Sequence, residues 1–118
     1  MKTAIIGGIL IIAALGAAAY FGTQPGKYDD FAECLTAKGA TFYGASWCEH
    51  CIAQKKAFGK SAKYLPYVEC STPDRQQTRV CQDEKIESYP TWKFSDGTMQ
   101  TGVPTFAQLS EKTGCTLP

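Results

Sequence analysis

The sequence lacks asparagine altogether, contains a single histidine, and has charges that nearly cancel. Without asparagine there is no acceptor for N-glycosylation. The formal net charge of +1 argues against a nucleic-acid-binding protein, because such proteins normally carry a surplus of basic residues. At 118 residues the chain is too short for two ordinary domains. Its 44% hydrophobic and 19% charged residues are typical of one globular domain.

Cysteine, by contrast, is abundant for a chain of this length. There are six cysteines, and all of them lie after residue 21. Because cytosolic thiols are kept reduced, this density in a small domain indicates an oxidising compartment. The sequence therefore predicts a protein whose folded part lies outside the cytoplasm.

An uncharged, largely apolar segment of 18 residues, 4–21, follows the positive charge of Lys2. As a helix it would be about 27 Å long, close to the thickness of the hydrocarbon core of a bilayer. Lys2 predicts that the N-terminus stays in the cytoplasm and that the rest of the chain is exported. We expect residues 1–21 to be a membrane anchor. The alternatives are a signal peptide, whose cleavage after residue 19 would give a secreted protein, and a buried core helix.

Helices and strands alternate in the rest of the chain. Residues 22–27 are rich in Gly, Pro and polar residues and form a linker, so the folded domain covers residues 28–118. Asp96 and Gly97 form a hairpin turn, and Thr105 caps the last helix. The alternation implies an α/β domain with a central sheet between helices. The predicted helices are 29–39, 49–60, 75–87 and 105–112, and the predicted strands are 40–43, 64–69, 91–94 and 99–103.

Two cysteines three positions apart, Cys48 and Cys51, stand at the start of the second predicted helix. The unpaired N–H groups and the dipole of a helix N-terminus favour a thiolate, which makes Cys48 the nucleophile. Cys51, one turn further on, is the resolving cysteine. His50 between them can place positive charge near the Cys48 sulfur, and a stabilised thiolate gives a more oxidising couple. The pattern predicts a redox-active disulfide and requires no organic cofactor.

A metal site and a structural disulfide are the alternatives for the same segment. Cys48, His50 and Cys51 offer soft ligands for Cu(I) or Zn. However, no second CxxC and no pair of histidines follows to complete a zinc site. A c-type haem would need a histidine where Ile52 stands. We therefore predict no metal at this position.

A strand, a CxxC and a helix in succession resemble the thioredoxin superfamily. The second marker is Tyr89-Pro90-Thr91, in which Pro90 follows Cys51 by 39 residues and precedes a strand. In that superfamily the matching proline is cis and lies beside the CxxC, and cis bonds are otherwise uncommon. The resemblance implies a thioredoxin fold, with a central mixed sheet flanked by helices. It also implies a substrate groove formed by Trp47, Tyr89 and Thr91, in which an extended chain pairs with the Thr91 backbone.

A closer resemblance covers nearly all of residues 28–115. The run from FAECLTAKG through ASWCEHC to YVEC, with VCQ and IESYPTW, resembles the thioredoxin-like domain fused to bacterial and plant homologues of vitamin K epoxide reductase. In that family the domain passes electrons from secreted dithiol proteins to a quinone-linked membrane domain. The resemblance implies a partner of this type, which the present chain is too short to contain.

The sequence departs from thioredoxins at one position. Thioredoxins carry a buried acid six residues before the first active-site cysteine, and this chain has Phe42 there. The acid helps to deprotonate the second cysteine. Without it, water, Glu49 or Lys55 must handle the proton, which favours an oxidase over a reductase.

Four cysteines remain, and they allow three pairings. Cys70 and Cys81 enclose ten residues that include a turn, so they are the preferred structural pair. Cys34 and Cys115 are then left, near the two ends of the domain. Cys34 has a second interpretation as a small buried apolar residue of its helix.

Together these patterns predict a membrane-anchored, extracytoplasmic thiol–disulfide oxidoreductase. Its substrates would be exported cysteine-containing proteins, in which it promotes disulfide formation. Its partner would be a membrane protein of the vitamin K epoxide reductase type. The alternatives are a thiol reductant, as in cytochrome maturation, and the Cu/Zn-binding module.

Overall fold

The computed structural model of the chain describes residues 14–16 and 24–118. Residues 14–16 are helical. The rest of the expected anchor or signal segment, 1–21, and the first residues of the expected linker lie outside the described residues. Within residues 14–16 and 24–118, no helix is both long and apolar enough to cross a membrane.

The elements follow the predicted order of helices and strands. Within residues 24–118, glycines with positive φ closely follow three of the four α-helices: Gly39 (φ 80°), Gly59 (φ 55°) and Gly114 (φ 79°). The last helix begins at the predicted cap, where the Thr105 side chain accepts a hydrogen bond from Gln108 N. In chain order the elements are α1 (Asp29–Ala37), β1 (Thr41–Gly44), α2 (Glu49–Phe58), a 3₁₀ helix (Gly59–Tyr64), β2 (Tyr67–Glu69), α3 (Arg79–Asp83), β3 (Thr91–Lys93), β4 (Met99–Thr101) and α4 (Phe106–Thr113).

The four strands form one mixed sheet in the order β2-β1-β3-β4. β1 pairs parallel with β2 and antiparallel with β3, and β3 pairs antiparallel with β4. Parallel pairing of β1 and β2 requires a crossover, which α2 and the 3₁₀ helix provide. A mixed four-stranded sheet flanked by helices is consistent with the predicted thioredoxin-like fold.

The two faces of the sheet are covered unequally. Side chains alternate across a strand, so Phe42 and Tyr43 of β1 point to opposite faces. Phe42 stacks on Trp92 with 5.0 Å between the ring centroids and belongs to the larger buried cluster. Tyr43 belongs to a smaller buried cluster with Cys70, Cys81 and Ile86. The larger cluster also takes side chains from α1, α2 and α4, among them Phe31, Leu35, Phe58 and Leu109.

The predicted helix 75–87 was wrong over its first and last residues. Arg75 has a φ of 64°, which an α-helix does not allow. The Thr72 side chain accepts a hydrogen bond from Gln76 N at 3.0 Å, and Ser71 pairs with Gln77 as an isolated β-bridge. Residues 71–77 therefore form a compact loop, and only Arg79–Asp83 is helical.

The predicted strand 64–69 was too long at its start. Residues 59–64 continue α2 as a 3₁₀ helix, which closes with a hydrogen bond from Leu65 N to Ala62 O at 3.1 Å. Pro66 follows, and because a proline has no N–H to donate, the ladder begins only at Tyr67.

Two disulfides join the pair that the spacing favours, Cys70 and Cys81, and the pair that was left, Cys34 and Cys115. Cys70 and Cys81 are bonded within the smaller buried cluster, with 5.5 Å between their Cα atoms. Cys34 of α1 is bonded to Cys115, which follows α4, with 5.9 Å between their Cα atoms. The second bond ties the first and last helices of the domain together.

Candidate active site

Cys48 and Cys51 are the two cysteines that lie outside the disulfides. Cys48 is the N-cap of α2, with extended backbone angles, and its carbonyl accepts the hydrogen bond from Ile52 N at 3.0 Å. Cys51 lies in the first turn. The exposed fraction is 9% for Cys48 and 1% for Cys51. Of the two residues, only Cys48, at the helix N-terminus, therefore approaches the surface.

The loop between β1 and α2 is held from both sides. Cys48 N donates to Ala45 O at 3.0 Å, which closes a turn directly before the helix. Ser46 N donates to a Glu69 carboxylate oxygen at 3.1 Å, and the same oxygen accepts from Ser71 N at 3.2 Å. Glu69 thus connects the active-site loop to the segment that follows β2, a role that the sequence alone did not reveal.

Gly44, the last residue of β1, makes room for the buried thiol. A Cβ at this position would lie 2.9 Å from the Cys51 sulfur and 2.9 Å from Cε2 of Tyr67. Side-chain carbons essentially never approach other heavy atoms so closely. Glycine is therefore required here by the close approach of Cys51 and Tyr67.

Burial raises the pKa of the Cys51 thiol from 9.0 to about 12. The neighbouring Cys48 adds to the rise, while a backbone contact at Ala45 and the charge of Lys55 oppose it. Cys51 is therefore the protonated, shielded member of the pair. Its role as the resolving cysteine stays a prediction.

The Tyr89–Pro90 peptide bond is cis, as the Tyr-Pro-Thr pattern predicts. The Cys48 thiol donates to Tyr89 O at 3.6 Å, so this peptide lies directly beside the Cys48 sulfur. Pro90 itself is fully buried. The fold thus brings the two sequence markers together at one site.

Trp47 and Tyr89 form an aromatic surface beside Cys48. Their rings meet edge to face with 6.0 Å between the centroids, and 43% of Trp47 is exposed. The indole N–H of Trp47 donates to Ser71 Oγ at 2.7 Å, and the guanidinium of Arg75 lies 5.1 Å from the Trp47 ring centroid. The loop 71–77 therefore supports the predicted groove from one side.

Gln77 fixes the second aromatic residue. Its side-chain amide donates to Tyr89 OH at 3.0 Å and to Ile86 O at 2.8 Å. Sequence analysis missed Gln77, because it placed the residue inside a helix. No sequence signal marks it, since its role depends on the loop geometry around Arg75.

Thr91 and His50 occupy different surroundings from the groove residues. Thr91 is 3% exposed and pairs with Tyr43 on one side and Thr101 on the other. Its backbone is therefore engaged within the sheet, which corrects the expectation that a substrate chain pairs with it. His50 lies exposed in the first turn of α2, between the two cysteines.

No group of three or more His, Cys, Asp or Glu side chains in residues 14–16 and 24–118 is arranged to hold a metal ion. Cys48, Cys51 and His50 supply two sulfurs and one exposed imidazole within four positions at the N-terminus of α2. The chemistry that their placement supports directly is thiol–disulfide exchange.

Comparison with protein-family models gives no match. Among curated proteins, the chain is similar to the thiol-disulfide oxidoreductase LTO1 of Arabidopsis thaliana, with 44% identity over 92 residues. The similarity covers 73% of this chain and 24% of the plant protein. The chain thus spans about a quarter of the length of this relative.

Proposed function

We propose that this chain is a thioredoxin-like thiol–disulfide oxidoreductase in which Cys48 and Cys51 alternate between a dithiol and a disulfide. The observation that carries the proposal is the position of Cys48, which is at the N-terminus of α2 and 3.6 Å from the carbonyl of a cis Tyr-Pro peptide. The similarity to a plant thiol-disulfide oxidoreductase supports the same chemistry. No organic cofactor takes part in the proposed reaction.

The exchange proceeds through a mixed disulfide at Cys48. A substrate thiolate attacks the Cys48 sulfur of the oxidised pair, the Cys48–Cys51 bond breaks, and Cys51 leaves as a thiolate that takes up a proton. A second substrate thiolate then attacks the substrate sulfur, and Cys48 leaves as a thiolate. The substrate gains a disulfide, and the protein is left with the Cys48 thiolate and the Cys51 thiol. Trp47 and Tyr89 offer an apolar surface for the substrate chain beside Cys48.

The proposed direction is oxidation of exported proteins outside the cytoplasm. The disulfides Cys34–Cys115 and Cys70–Cys81 support an oxidising compartment. His50, exposed near Cys48, is proposed to favour the Cys48 thiolate and so to make the couple more oxidising. The apolar segment 4–21 is proposed to anchor the domain at the surface of the cytoplasmic membrane that faces away from the cytoplasm.

Turnover requires an acceptor for the two electrons that remain on Cys48 and Cys51. We propose a quinone-linked membrane protein of the vitamin K epoxide reductase type, on the basis of the family resemblance of residues 28–115. A membrane anchor would raise the effective concentration of the domain near such an acceptor. The mixed disulfide with the acceptor would form at Cys48, and Cys51 would resolve it.

Trapping of the mixed disulfide tests the chemistry. In the Cys51→Ala variant, exported proteins and the acceptor should remain bound to Cys48 on non-reducing gels. The matched control is the Cys48→Ala/Cys51→Ala double variant, which should trap nothing. Equal trapping by both variants would contradict the proposal.

The reduction potential of the Cys48–Cys51 pair tests the direction. Equilibration with glutathione should give a potential well above that of thioredoxin, which lies near −270 mV. A value at or below that of thioredoxin would indicate the reductant alternative instead.

Deletion of residues 1–21 with export retained through another leader tests the anchor and the acceptor. Reoxidation should slow in cells, while exchange with soluble substrates stays unchanged. Unchanged reoxidation, with only soluble substrates trapped by the Cys51→Ala variant, would contradict the membrane partner.

A further inference from the structure

Thioredoxins place a buried acid on the strand that precedes the CxxC, but β1 carries no carboxylate at that position to assist Cys51. Phe42 occupies that position, fully buried and stacked on Trp92. A buried thiol with a pKa near 12 is a poor nucleophile and a poor leaving group at neutral pH. Another group must therefore compensate the negative charge that Cys51 carries during exchange.

Tyr67 of β2 and Lys55, on the same helix as Cys51, are two side chains placed near the Cys51 thiol. Across the bare backbone of Gly44, the Cys51 sulfur and the Tyr67 ring both lie 2.9 Å from the position that a Cβ would take. Lys55 follows Cys51 by one helical turn, and residues four apart share a helix face. The Lys55 ammonium lies 3.5 Å from the centroid of the Tyr67 ring.

The Tyr67 ring is suited to hold a cation in a fixed place. It is itself fixed by an edge-to-face contact with Phe42, at 5.0 Å between the centroids. Burial, together with the negative charge of Glu69, raises the pKa of Tyr67. The phenol therefore stays neutral, and it binds the ammonium through the face of its ring.

We propose that Lys55, held in place by the ring of Tyr67, is the cation that stabilises the Cys51 thiolate during exchange. The pair acts as a positioning device that replaces the missing buried acid. The inference rests on the proposed dithiol function and assigns the charge compensation at its second cysteine.

The charge on Cys51 arises in both directions of the reaction. In resolution, the Cys51 thiol gives its proton to water, its thiolate attacks the Cys48 sulfur, and the Cys48–Cys51 bond forms. The bond from Cys48 to the partner breaks, and the partner leaves as a thiolate that takes a proton from water. In the reverse direction Cys51 is the leaving thiolate, so a nearby ammonium favours both steps.

The other charged and titratable groups around Cys51 do not offer this help. The neighbouring thiol of Cys48 raises the pKa of Cys51, so it opposes the thiolate. Glu69, near Tyr67, carries negative charge, and its carboxylate accepts from Ser46 N and Ser71 N. Glu49 and His50 lie exposed on the first turn of α2.

The two cysteines can be followed separately with 5,5′-dithiobis(2-nitrobenzoate) on the reduced full-length protein. Attack by Cys48 releases a first coloured thiolate, and attack by Cys51 on the resulting mixed disulfide releases a second. The Cys51→Ala variant should show the first release only. Absence of the second release in the wild type would contradict the proposed function itself rather than the role of Lys55.

Lys55→Gln should slow the second release roughly three- to tenfold and shift its pH profile to higher pH. One unit of pKa lowers the thiolate fraction tenfold, but the higher nucleophilicity recovers about threefold of that loss. The first release should change less than twofold. Lys56→Gln removes the next, exposed lysine and is the matched control. Equal second releases in the two lysine variants would overturn the inference.

Variants of Tyr67 separate the ring from the hydroxyl. Tyr67→Phe keeps the ring face and should leave the second release unchanged, whereas Tyr67→Leu should slow it as Lys55→Gln does. Combining Tyr67→Leu with Lys55→Gln should add little, because both changes remove the same interaction. A slow Tyr67→Phe variant, or fully additive losses, would contradict a role for the ring as the holder of Lys55.

Discussion

The cysteine pairs Cys48/Cys51 and Cys70/Cys81 lie on opposite faces of the same strand, β1. All four residues are buried, with exposed fractions of 9%, 1%, 0% and 0%. They differ in where the chain places them: the first pair spans one turn at a helix N-terminus, and the second closes a loop between β2 and α3. Burial is thus common to both, and the helix terminus distinguishes the pair for which we propose redox activity.

The second pair also supports the first. The disulfide Cys70–Cys81 closes the loop that carries Ser71 and Gln77, which hold Trp47 and Tyr89 by hydrogen bonds. The structural disulfide therefore shapes the surface next to the reactive dithiol. We therefore expect that removing the Cys70–Cys81 bond would affect the surface beside Cys48 mainly through this loop.

The largest expected effect separates the chemistry of the two pairs. Cys48→Ala should reduce catalysed oxidation of a reduced, unfolded test protein to the uncatalysed rate, because the nucleophile is lost. Cys70→Ala/Cys81→Ala should keep catalysis at temperatures where circular dichroism shows it folded. A Cys70→Ala/Cys81→Ala protein that is folded but inactive would contradict the assignment of Cys70 and Cys81 as a purely structural pair.

The stability of the domain should depend strongly on the two structural disulfides. Removing Cys34–Cys115, whose cysteines are 81 positions apart, should lower the free energy of unfolding by about 4.5 kcal/mol. Removing Cys70–Cys81, with a separation of 11, should cost about 3 kcal/mol. Urea denaturation of the two double-alanine variants measures both. A larger loss for the shorter loop would mean that local contacts, rather than chain entropy, dominate.

Gly44 is the point where the two pairs meet. Its carbonyl accepts the hydrogen bond from Cys70 N at 2.7 Å, and its bare Cα faces Cys51. Gly44→Ala should lower the free energy of unfolding by about 1–3 kcal/mol, because the new Cβ overpacks the site. Gly16→Ala, at a position with open space around it, is the control for the urea midpoint. Equal urea midpoints for Gly44→Ala and Gly16→Ala would show that the packing beside Cys51 accommodates the added methyl group.

The stability of the reduced protein should fall at alkaline pH. The pKa of Cys51 is raised on folding, so the unfolded chain loses its proton first as the pH rises above 9. Between pH 9 and 10, unfolding should become easier by about 1 kcal/mol more in the wild type than in Cys51→Ala. Urea midpoints of both proteins at each pH measure the difference, and parallel curves would contradict the raised pKa.

The smallest expected effect concerns the contact between the loop and Trp47. Ser71→Ala removes the acceptor of the indole hydrogen bond and should weaken substrate binding by roughly 0.5–1 kcal/mol, about two- to fivefold in KM. The rate at which Cys48 releases the first coloured thiolate from 5,5′-dithiobis(2-nitrobenzoate) should stay unchanged. Ser110→Ala, which removes a hydroxyl that donates to Cys115 O and not to the Trp47 loop, is the control variant. A loss confined to kcat would argue against a role in substrate binding.

The active-site markers were readable from the sequence because each depends on local chain chemistry. A CxxC after a strand, a Tyr-Pro-Thr before a strand, an Asp-Gly turn and a Thr105 cap all act over a few residues. The alternation of helices and strands predicted the order of elements, and the thioredoxin resemblance implied the mixed sheet. The Cys70–Cys81 pairing followed from a short loop, and Cys34–Cys115 from what remained.

The residues that support the active site could not be predicted from the sequence, because their contacts join segments that are distant along the chain. Gln77 reaches Tyr89 only since Arg75 adopts a left-handed conformation that breaks the expected helix. The contact of Lys55 with Tyr67 joins α2 to β2. It depends on the parallel register that places Tyr67 opposite Phe42. Thr91 was misjudged because both sides of β3 are paired.

The bond between Cys34 and Cys115 has a mechanical consequence. It encloses 81 residue steps in a covalent loop that begins in the first helix and ends after the last one. A force that pulls the two ends of the domain apart would pass through this bond, and about 280 Å of chain would stay locked inside the loop. The oxidised domain should therefore yield only its short flanking segments under tension, and it should release the loop when the bond is reduced.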